Sequence, residues 1–496
     1  MVDWKEPVGR LLTSLLKLVK ESSKQEEISK RARKKTSFAK AGIPRWLLSV
    51  IFFVLIVLIM FAKETMDWTL LGGYVLIVLI FMTVIGIYIY RYSPKVLGAK
   101  DNIILVGIIM MLVIILAKVQ FIAGLSPYIV PVAMAGMLIT VLLEAKLAFL
   151  IVTALSILVC IINQNEFSFF FVYLLGSFAG IFSVVRVRHR INLARAGLVI
   201  GGINALAIVA LNMLEGNVVF VKVGNSIGWG VLNGVLCAVL STGLLPYLEN
   251  LFKITTDIRL LELADFNQPL LKRLMLEAPG TYHHSLMVGN LAEAAASIVG
   301  ANPLLARVGA YYHDIGKLVK PEYFAENHPT VFSKHEDLTP QMSTLILISH
   351  VKHGIELARE HGLNTDIVDI IGQHHGTSLA YFFYQKALEE YEPSSIQQQQ
   401  YRYPGPRPRS REAAIIMLAD GVEAASRVLE EPTYPRLQEL VRKIINNRFI
   451  DAQLDECDLT LKDLHLIGEK FVFILTSMFH ARVEYPEENP EKESNK

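Results

Sequence analysis

"LLGGYVLIVLIFMTVIGIYIY", residues 70–90, runs from end to end without a charged side chain. A bilayer core about 30 Å thick needs roughly 20 apolar residues in helical form, and this stretch supplies them. Seven further runs obey the same rule, near residues 46–62, 102–118, 128–143, 147–163, 168–185, 193–213 and 226–247, so eight spans are predicted. The fourth and fifth meet at Leu143-Glu144-Ala145-Lys146, which reads either as a tight hairpin or as one run counted twice.

Outside these runs the chain changes character. The 52% hydrophobic content and net charge of +2 average over two unlike halves, because charged residues, histidines and prolines return after about residue 250. Residues 1–45 carry twelve Lys or Arg against five Asp or Glu. Such a charged stretch ahead of the first apolar run predicts a retained anchor rather than a cleaved signal peptide. Three cysteines, Cys160, Cys237 and Cys457, show neither paired spacing nor a CxxC, which excludes a disulfide framework and a cysteine zinc site.

Loop charges give the topology. Cytoplasmic loops accumulate Lys and Arg, and "KRARKK" at 30–35 marks the N-terminus as inside. Alternate loops then hold Arg91, Lys95 and Lys100, next Lys146, next Arg186, Arg188, Arg190 and Arg195, while those between hold Lys63, Lys118 and Lys222. Eight spans with both ends in the cytoplasm satisfy this alternation. Gly176/Gly180, Gly197/Gly201 and Gly230/Gly234 are small-residue spacings that permit close helix packing in lipid. No run of intramembrane acids or histidines marks a transport pathway.

The second half is helical with clear punctuation. Asn302-Pro303 and Thr339-Pro340 read as caps followed by a first-turn proline, Gly362 ends the helix that Pro340 opens, and Pro279-Gly280 separates two helices. Little alternates with period two, so the fold class is all-α: a polytopic helical membrane domain followed by a cytoplasmic all-α domain. The predicted organisation is a basic segment 1–45, a membrane domain 46–250, a soluble domain 251–484 and an acidic tail 485–496. "PSSIQQQQYRYPGPRPRSR" (393–411) reads as a mobile loop.

Twelve of thirteen histidines fall after residue 282. "YYHDIGK" (311–317) joins "TYHHS", "SHVKHG", "GQHHGTS" and "MLADGVEA". Imidazoles and carboxylates together suit divalent metals, and a carboxylate such as Asp314 can bridge two of them. Two metals so held lower the pKa of a shared water and clamp a phosphoryl oxygen. The spacing of His313, Asp314 and Lys317 predicts one helix face, with the Lys317 ammonium toward a phosphate. The paired histidines of "TYHHS" project about 100° apart on a helix, so one of them faces the metals.

Taken in order, "TYHHSLMVGNLAEAAA", "YYHDIGKLVKPEYFAENH", "ISHVKHGIELA", "IIGQHHGTSLAYFFYQKA" and "YRYPGPRPRSREAAIIMLADGVEAA" resemble the membrane-bound seven-transmembrane HD phosphodiesterases of the PgpH type. The resemblance implies an HD domain that hydrolyses cyclic di-AMP to the linear dinucleotide pApA at a dinuclear iron or manganese centre. It places His284, His313, Asp314 and Asp420 at one metal and Asp314, His350, His374 and His375 at the other, with Lys317 at the phosphate. The same pattern prefers His284 to His283.

The implied partners are the dinucleotide and the lipid bilayer of the cell membrane. A homodimer is left open, and no DNA or RNA polymer is expected. His328, His335, His353 and His361 read as solvated, and Tyr and Arg of "YRYPGP" stand as candidates for touching the dinucleotide. Plainer roles stay open too: His374 and His375 as a helix-end pair bonded to carbonyls, Asp420 as an interhelix bridge, Lys317 as a surface charge. Family members commonly carry a large extracytoplasmic domain between the first two spans, where this chain has only "KETMDWT" (63–69). Cyclic di-GMP or another nucleotide as substrate, or a receptor that binds without cutting, are the competing readings.

Overall fold

The computed structural model describes residues 44–62, 67–93, 100–216, 220–327 and 331–479. The expected basic segment, Lys63, Lys95, His328 and the acidic tail lie outside them. Packing divides the chain into two compact units: one runs to Val185 and resumes over Leu193–Leu245, and the other takes Arg186–Asn192 and everything from Pro246. Among the described residues no strand forms, and Leu379 with Arg402 makes an isolated antiparallel bridge.

Eight apolar helices occupy the predicted runs: α1 (Arg45–Phe61), α2 (Trp68–Tyr92), α3 (Lys100–Ile122), α4 (Val132–Leu142), α5 (Ala145–Ile162), α6 (Phe167–Val184), α7 (Ile191–Leu214) and α8 (Phe220–Phe252). Six of them, all but α1 and α4, are long and apolar enough to cross a membrane. The fourth run is therefore not the uninterrupted span that the sequence predicts. Prolines break it into a 3-10 turn at Pro127–Ile129 and the 11-residue α4, which at 1.5 Å per residue spans about 16 Å, half a bilayer core. Lys118, expected in a loop, lies within α3, where it is buried and its Nζ donates to the Met60 carbonyl at 2.9 Å.

Small residues set the closest helix approach here. A Cβ on Gly197 would stand 2.5 Å from the Ala238 Cβ and 2.6 Å from the Gly234 carbonyl oxygen, so α7 and α8 meet backbone to backbone. Beside that crossing Asn204 Nδ2 donates to Gly230 O at 3.2 Å and to Asn233 Oδ1 at 3.1 Å. Asn233 Nδ2 in turn donates to Val130 O at 2.7 Å, a carbonyl at the break before α4 that also accepts from Val132 N at 2.9 Å.

The second unit contains α9 (Asp257–Leu263), α10 (Pro269–Glu277), α11 (Pro279–Val299), α12 (Pro303–Tyr312), α13 (Val331–Glu336), α14 (Pro340–Glu360), α15 (Thr365–Gln373), α16 (Tyr381–Glu390), α17 (Arg411–Ser426), α18 (Tyr434–Ile450) and α19 (Leu461–Phe479). Caps start several of them: Asn302 accepts from Leu305 N, Thr339 from Met342 N and Ser410 from Ala413 N. Pro279 is the first residue of α11 rather than a break ahead of it, because its missing N–H is not needed there. Gly362, at φ +65, follows α14 as expected.

One core cluster packs Val288, Leu291, Ala292 and Ala295 of α11 against Ile416 and Ala419 of α17 and Phe471 of α19. Another joins Leu263, Leu274, Val308, Ile315 and Ile371, tying α9 and α10 to α12 and α15. The ends of α12 and α15 are thereby held at fixed positions beside α11, α14 and α17.

Candidate metal centre

His284 is buried on the face of α11 that looks toward α17, while its neighbour His283 is exposed. α12 stops at Tyr312, His313 caps it, and Asp314 leaves the helix at φ −110, ψ 14 before a 3-10 turn over Ile315–Val319. His313, Asp314 and Lys317 therefore do not share a helix face as the spacing predicted. Gly316 explains the turn: a Cβ there would fall on the His350 carbonyl oxygen, so the chain leaves α12 to lie flat against α14. Lys317 still meets Asp314, its Nζ 2.8 Å from Oδ2, because residues three apart eclipse in a 3-10 turn.

α14 supplies His350, the end of α15 supplies His374 and His375, and α17 supplies Asp420. Asp314 stands between them with its two oxygens facing opposite ways. Oδ2 lies 3.1 Å from His313 Nε2 and 3.8 Å from His284 Nε2. Oδ1 lies 3.3 Å from His350 Nε2 and 3.6 Å from His374 Nε2. Asp420 reaches His284 Nε2 at 3.0 Å through one oxygen and His375 Nδ1 at 3.6 Å through the other. The donors fall into two groups, Asp314 with His350, His374 and His375, and His284 with His313 and Asp420, within which ligand atoms lie no more than 4.8 Å apart. All seven predicted ligand candidates are thus brought together.

Hydrogen bonds fix the ring orientations. His313, His350 and His374 each donate Nδ1–H to the carbonyl three residues earlier, Ala310 at 2.6 Å, Leu347 at 2.6 Å and Ile371 at 2.8 Å. His284 Nδ1 is bonded to the Glu423 carboxylate. That pattern leaves Nε2 of His313, His350 and His374 as an inward lone pair, while Nε2 of His284 lies against Asp420 Oδ1. His350 Nε2 and His374 Nε2 then face one another at 3.3 Å with no proton between them, and His313 Nε2 and Asp314 Oδ1 are buried without a hydrogen-bond partner. Converging lone pairs around a buried carboxylate are satisfied by divalent cations, so this donor set fits a two-metal site.

Electrostatics agree. Burial opposes the Asp314 charge, yet His313 and Lys317 outweigh it and hold the carboxyl well below the usual carboxylate range. Burial likewise opposes the Asp420 charge, and the hydrogen bond and charge of His284 overcome it, holding the carboxyl below the usual carboxylate range. Burial pushes His350 down to about 4 and, with His374 beside it, His375 well below the usual imidazole range, so both are neutral near pH 7. His284 differs: burial pulls it down, but Asp420 and Glu423 raise it to about 10. Lys317 resists burial through Asp314 and Glu326, which keep it charged.

Residues 68–256 match the family described as 7TM receptor with intracellular HD hydrolase, and residues 281–425 match the HD domain. PgpH of Bacillus subtilis, a cyclic-di-AMP phosphodiesterase, is 37% identical over 84% of this chain and 60% of its own length. PgpH of Listeria monocytogenes, a cyclic-di-AMP phosphodiesterase too, is 37% identical over 82% of this chain and 58% of its own. This chain belongs to the seven-transmembrane HD-domain family. It spans about three-fifths of the length of these curated relatives. A solved structure of the Listeria PgpH HD domain, 46% identical, covers 43% of this chain and all of that one with a TM-score of 0.41. The same domain in complex with cyclic di-AMP gives 0.42.

The segment matching the seven-transmembrane part of the family contains α2 to α8, the short α4 among them. In the HD domain, sequence reasoning missed two carboxylates. Glu423 follows Asp420 by three residues in "ADGVEA" and so shares its face of α17; that spacing was the available signal. Arg427 Nε holds Glu423 at 2.6 Å from the far side. Glu326 accepts from Lys317 Nζ at 2.6 Å and from the Thr281 hydroxyl at 3.0 Å, closing the chain after the HD motif onto the start of α11.

Other expectations need correcting. His335 is half-buried, its ring nitrogens 2.9 Å from the Ser343 hydroxyl and 3.1 Å from the Tyr323 carbonyl, whereas His361 is exposed as expected. Part of the 393–411 segment is tied down: Tyr401 is buried, Ala380 N donates to Tyr401 O at 2.8 Å and Tyr403 N to Ser378 O at 3.0 Å, while Gln397–Gln400 are exposed. Arg402 binds Asp451 through two hydrogen bonds, at 2.9 and 3.0 Å, and Thr377 O at 2.9 Å, bracing the turn after His375. Tyr403 stacks on His375 with ring centroids 4.2 Å apart.

Proposed function

We propose that this HD-family chain is a membrane-anchored, metal-dependent phosphodiesterase that hydrolyses cyclic di-AMP to pApA. The observation that carries the reading is Asp314, whose two carboxylate oxygens each face a separate group of histidines. The phosphodiesterase activity of the curated relatives supports the substrate. His284, His313, Asp314 and Asp420 would hold one divalent ion, and Asp314, His350, His374 and His375 the other, with manganese or iron as candidates.

When bound, such a pair supplies an acidified water and a clamp for a phosphoryl oxygen. The chain's own groups do the rest. Asp314 fixes the separation of the two positions, and Lys317 holds that carboxylate while adding positive charge where a phosphodiester would sit. Glu423 keeps the His284 lone pair aimed inward, and Tyr403 covers His375 with an aromatic face on which a base can stack.

In this reading residues 46–250 form the membrane domain and 251–484 the phosphodiesterase domain. The N-terminus and the HD domain are placed in the cytoplasm. Support comes from the arginine-rich loop Arg186–Asn192, which clusters with the HD unit. Counting both α1 and the broken Pro127–Leu142 segment as crossings gives eight spans, the even number that the loop charges require.

The test is turnover of cyclic di-AMP and cyclic di-GMP side by side by the full chain loaded with Mn²⁺ or Fe²⁺, with product identified by mass. pApA from cyclic di-AMP at the higher kcat/KM is the expected result. Faster cleavage of cyclic di-GMP would reassign the substrate, and tight binding of cyclic di-AMP without product would make the domain a receptor.

A further inference from the structure

The second unit contains a cavity of about 300 Å³ whose wall brings together Arg190, Lys253, Arg259 and the start of α15 at Asn364 and Thr365. It shares no residue with the metal centre. Its cations are incompletely neutralised. Arg190 makes a two-fold contact with Glu262, Nε–Oε1 2.6 Å and Nη2–Oε2 3.1 Å, and Arg259 Nη1 shares the same carboxylate at 3.6 Å. Lys253 has no carboxylate partner among the described residues. Glu249, the acid in the wall, is buried and engaged by the Thr256 hydroxyl.

The start of α15 adds donors. Asn364 does not cap its own helix, because its Oδ1 accepts from Arg259 Nε at 3.4 Å and its Nδ2 donates to Thr255 Oγ1 at 3.2 Å. The first backbone N–H groups of that helix therefore have no side-chain acceptor. Guanidinium groups, a free ammonium and open N–H groups around one cavity are the chemistry that recognises a phosphate. Chain continuity indicates the source: Arg190 immediately precedes α7 and Lys253 immediately follows α8, both apolar helices long enough to cross a membrane. Residues at such helix ends sit at the level of lipid headgroups.

We propose that this cavity binds the phosphate of an acidic phospholipid headgroup. The proposal is independent of the reaction assigned to the metal centre. It is tested on the full chain in nanodiscs of phosphatidylcholine with a minor fraction of phosphatidylglycerol, by counting retained lipids by native mass spectrometry. Lys253→Gln should lower phosphatidylglycerol retention about fivefold and Lys253→Gln with Arg259→Gln further, with phosphatidylcholine unchanged. Unaltered circular dichroism and metal content show that the variants fold. A parallel arm titrates inorganic phosphate: if it binds the unmodified chain more tightly than the variants while phosphatidylglycerol does not discriminate, the site takes a soluble phosphate. If neither probe distinguishes the unmodified chain from the variants, the proposal is overturned.

Discussion

Glu423 accepts the Nδ1 proton of His284 while Asp420, one turn earlier on α17, lies 3.0 Å from the opposite ring nitrogen. One imidazole is thus gripped from both sides by one helix. In metal sites such an outer carboxylate fixes the tautomer and orientation of the ligand. Glu423→Gln should weaken metal affinity about 10–100-fold and leave kcat nearly unchanged once metal is saturating. Metal titration combined with kcat at saturation checks this. Unchanged affinity would reduce Glu423 to a partner of Arg427.

Asp314 lies within 4 Å of His284, His313, His350 and His374, and of Lys317. In the proposed assignment, Asp314→Ala removes the carboxylate shared by both metal positions. Turnover should vanish and bound metal should fall from two ions to one or none, while the membrane helices retain their circular dichroism. Two ions retained per chain in the variant would refute the bridge.

The pH dependence follows from His284 and His350. His284, raised from about 6.5 to about 10 when folded without metal, stabilises the fold fully below pH 6.5, and this is lost as pH rises through 10. His350, lowered to about 4, contributes above pH 6.5, and its contribution is lost as pH falls toward 4. The chelated protein should therefore melt highest near pH 6 to 7. Metal binding at pH 8 must displace the His284 proton, so its calorimetric heat should vary with the ionisation enthalpy of the buffer. A buffer-independent heat would show that His284 is already neutral.

Much of this was legible before any coordinates. Apolar runs located all eight membrane-half helices because lipid tolerates no other pattern. They did not show the break at Pro131, since Pro127 and Pro131 interrupt the helix while the residues around them remain apolar. The histidine motifs named every residue that converges on Asp314. Their spacing misjudged the local backbone, because the turn at Asp314 is imposed by α14, distant in sequence. Glu326 escaped, and Arg402 was read as a dinucleotide contact rather than a brace, for the same reason: their partners, Thr281 and Asp451, lie 45 and 49 positions away.

Gly316 tests that tertiary origin. A Cβ there would overlap the His350 carbonyl oxygen and lie 2.5 Å from Gly354 N, both backbone atoms that no rotamer change can move. Gly316→Ala should destabilise the HD unit by more than about 3 kcal/mol, measured by chemical denaturation. Gly243→Ala, where nothing lies within 4 Å of the added carbon, should be near neutral. Equal stability of both variants would mean that the turn against α14 is not as close as described.

Lys317 decides between a structural cation and a phosphate contact. Its ammonium lies between Asp314 Oδ2 at 2.8 Å and Glu326 Oε1 at 2.6 Å, with the Phe324 ring at 5.1 Å. Lys317→Met would leave the buried Asp314 carboxylate facing the half-buried Glu326 carboxylate, a loss of up to about 3 kcal/mol when no metal is present. Divalent ions held by the histidines around Asp314 would offset its charge, so metal should restore much of that stability. A lost phosphate contact is not restored in this way, and kcat/KM should stay depressed at saturating metal. Thermal unfolding with and without Mn²⁺, set beside kcat/KM at saturation, separates the two roles. Recovery of both stability and kcat/KM on metal loading would make Lys317 a support for Asp314 alone.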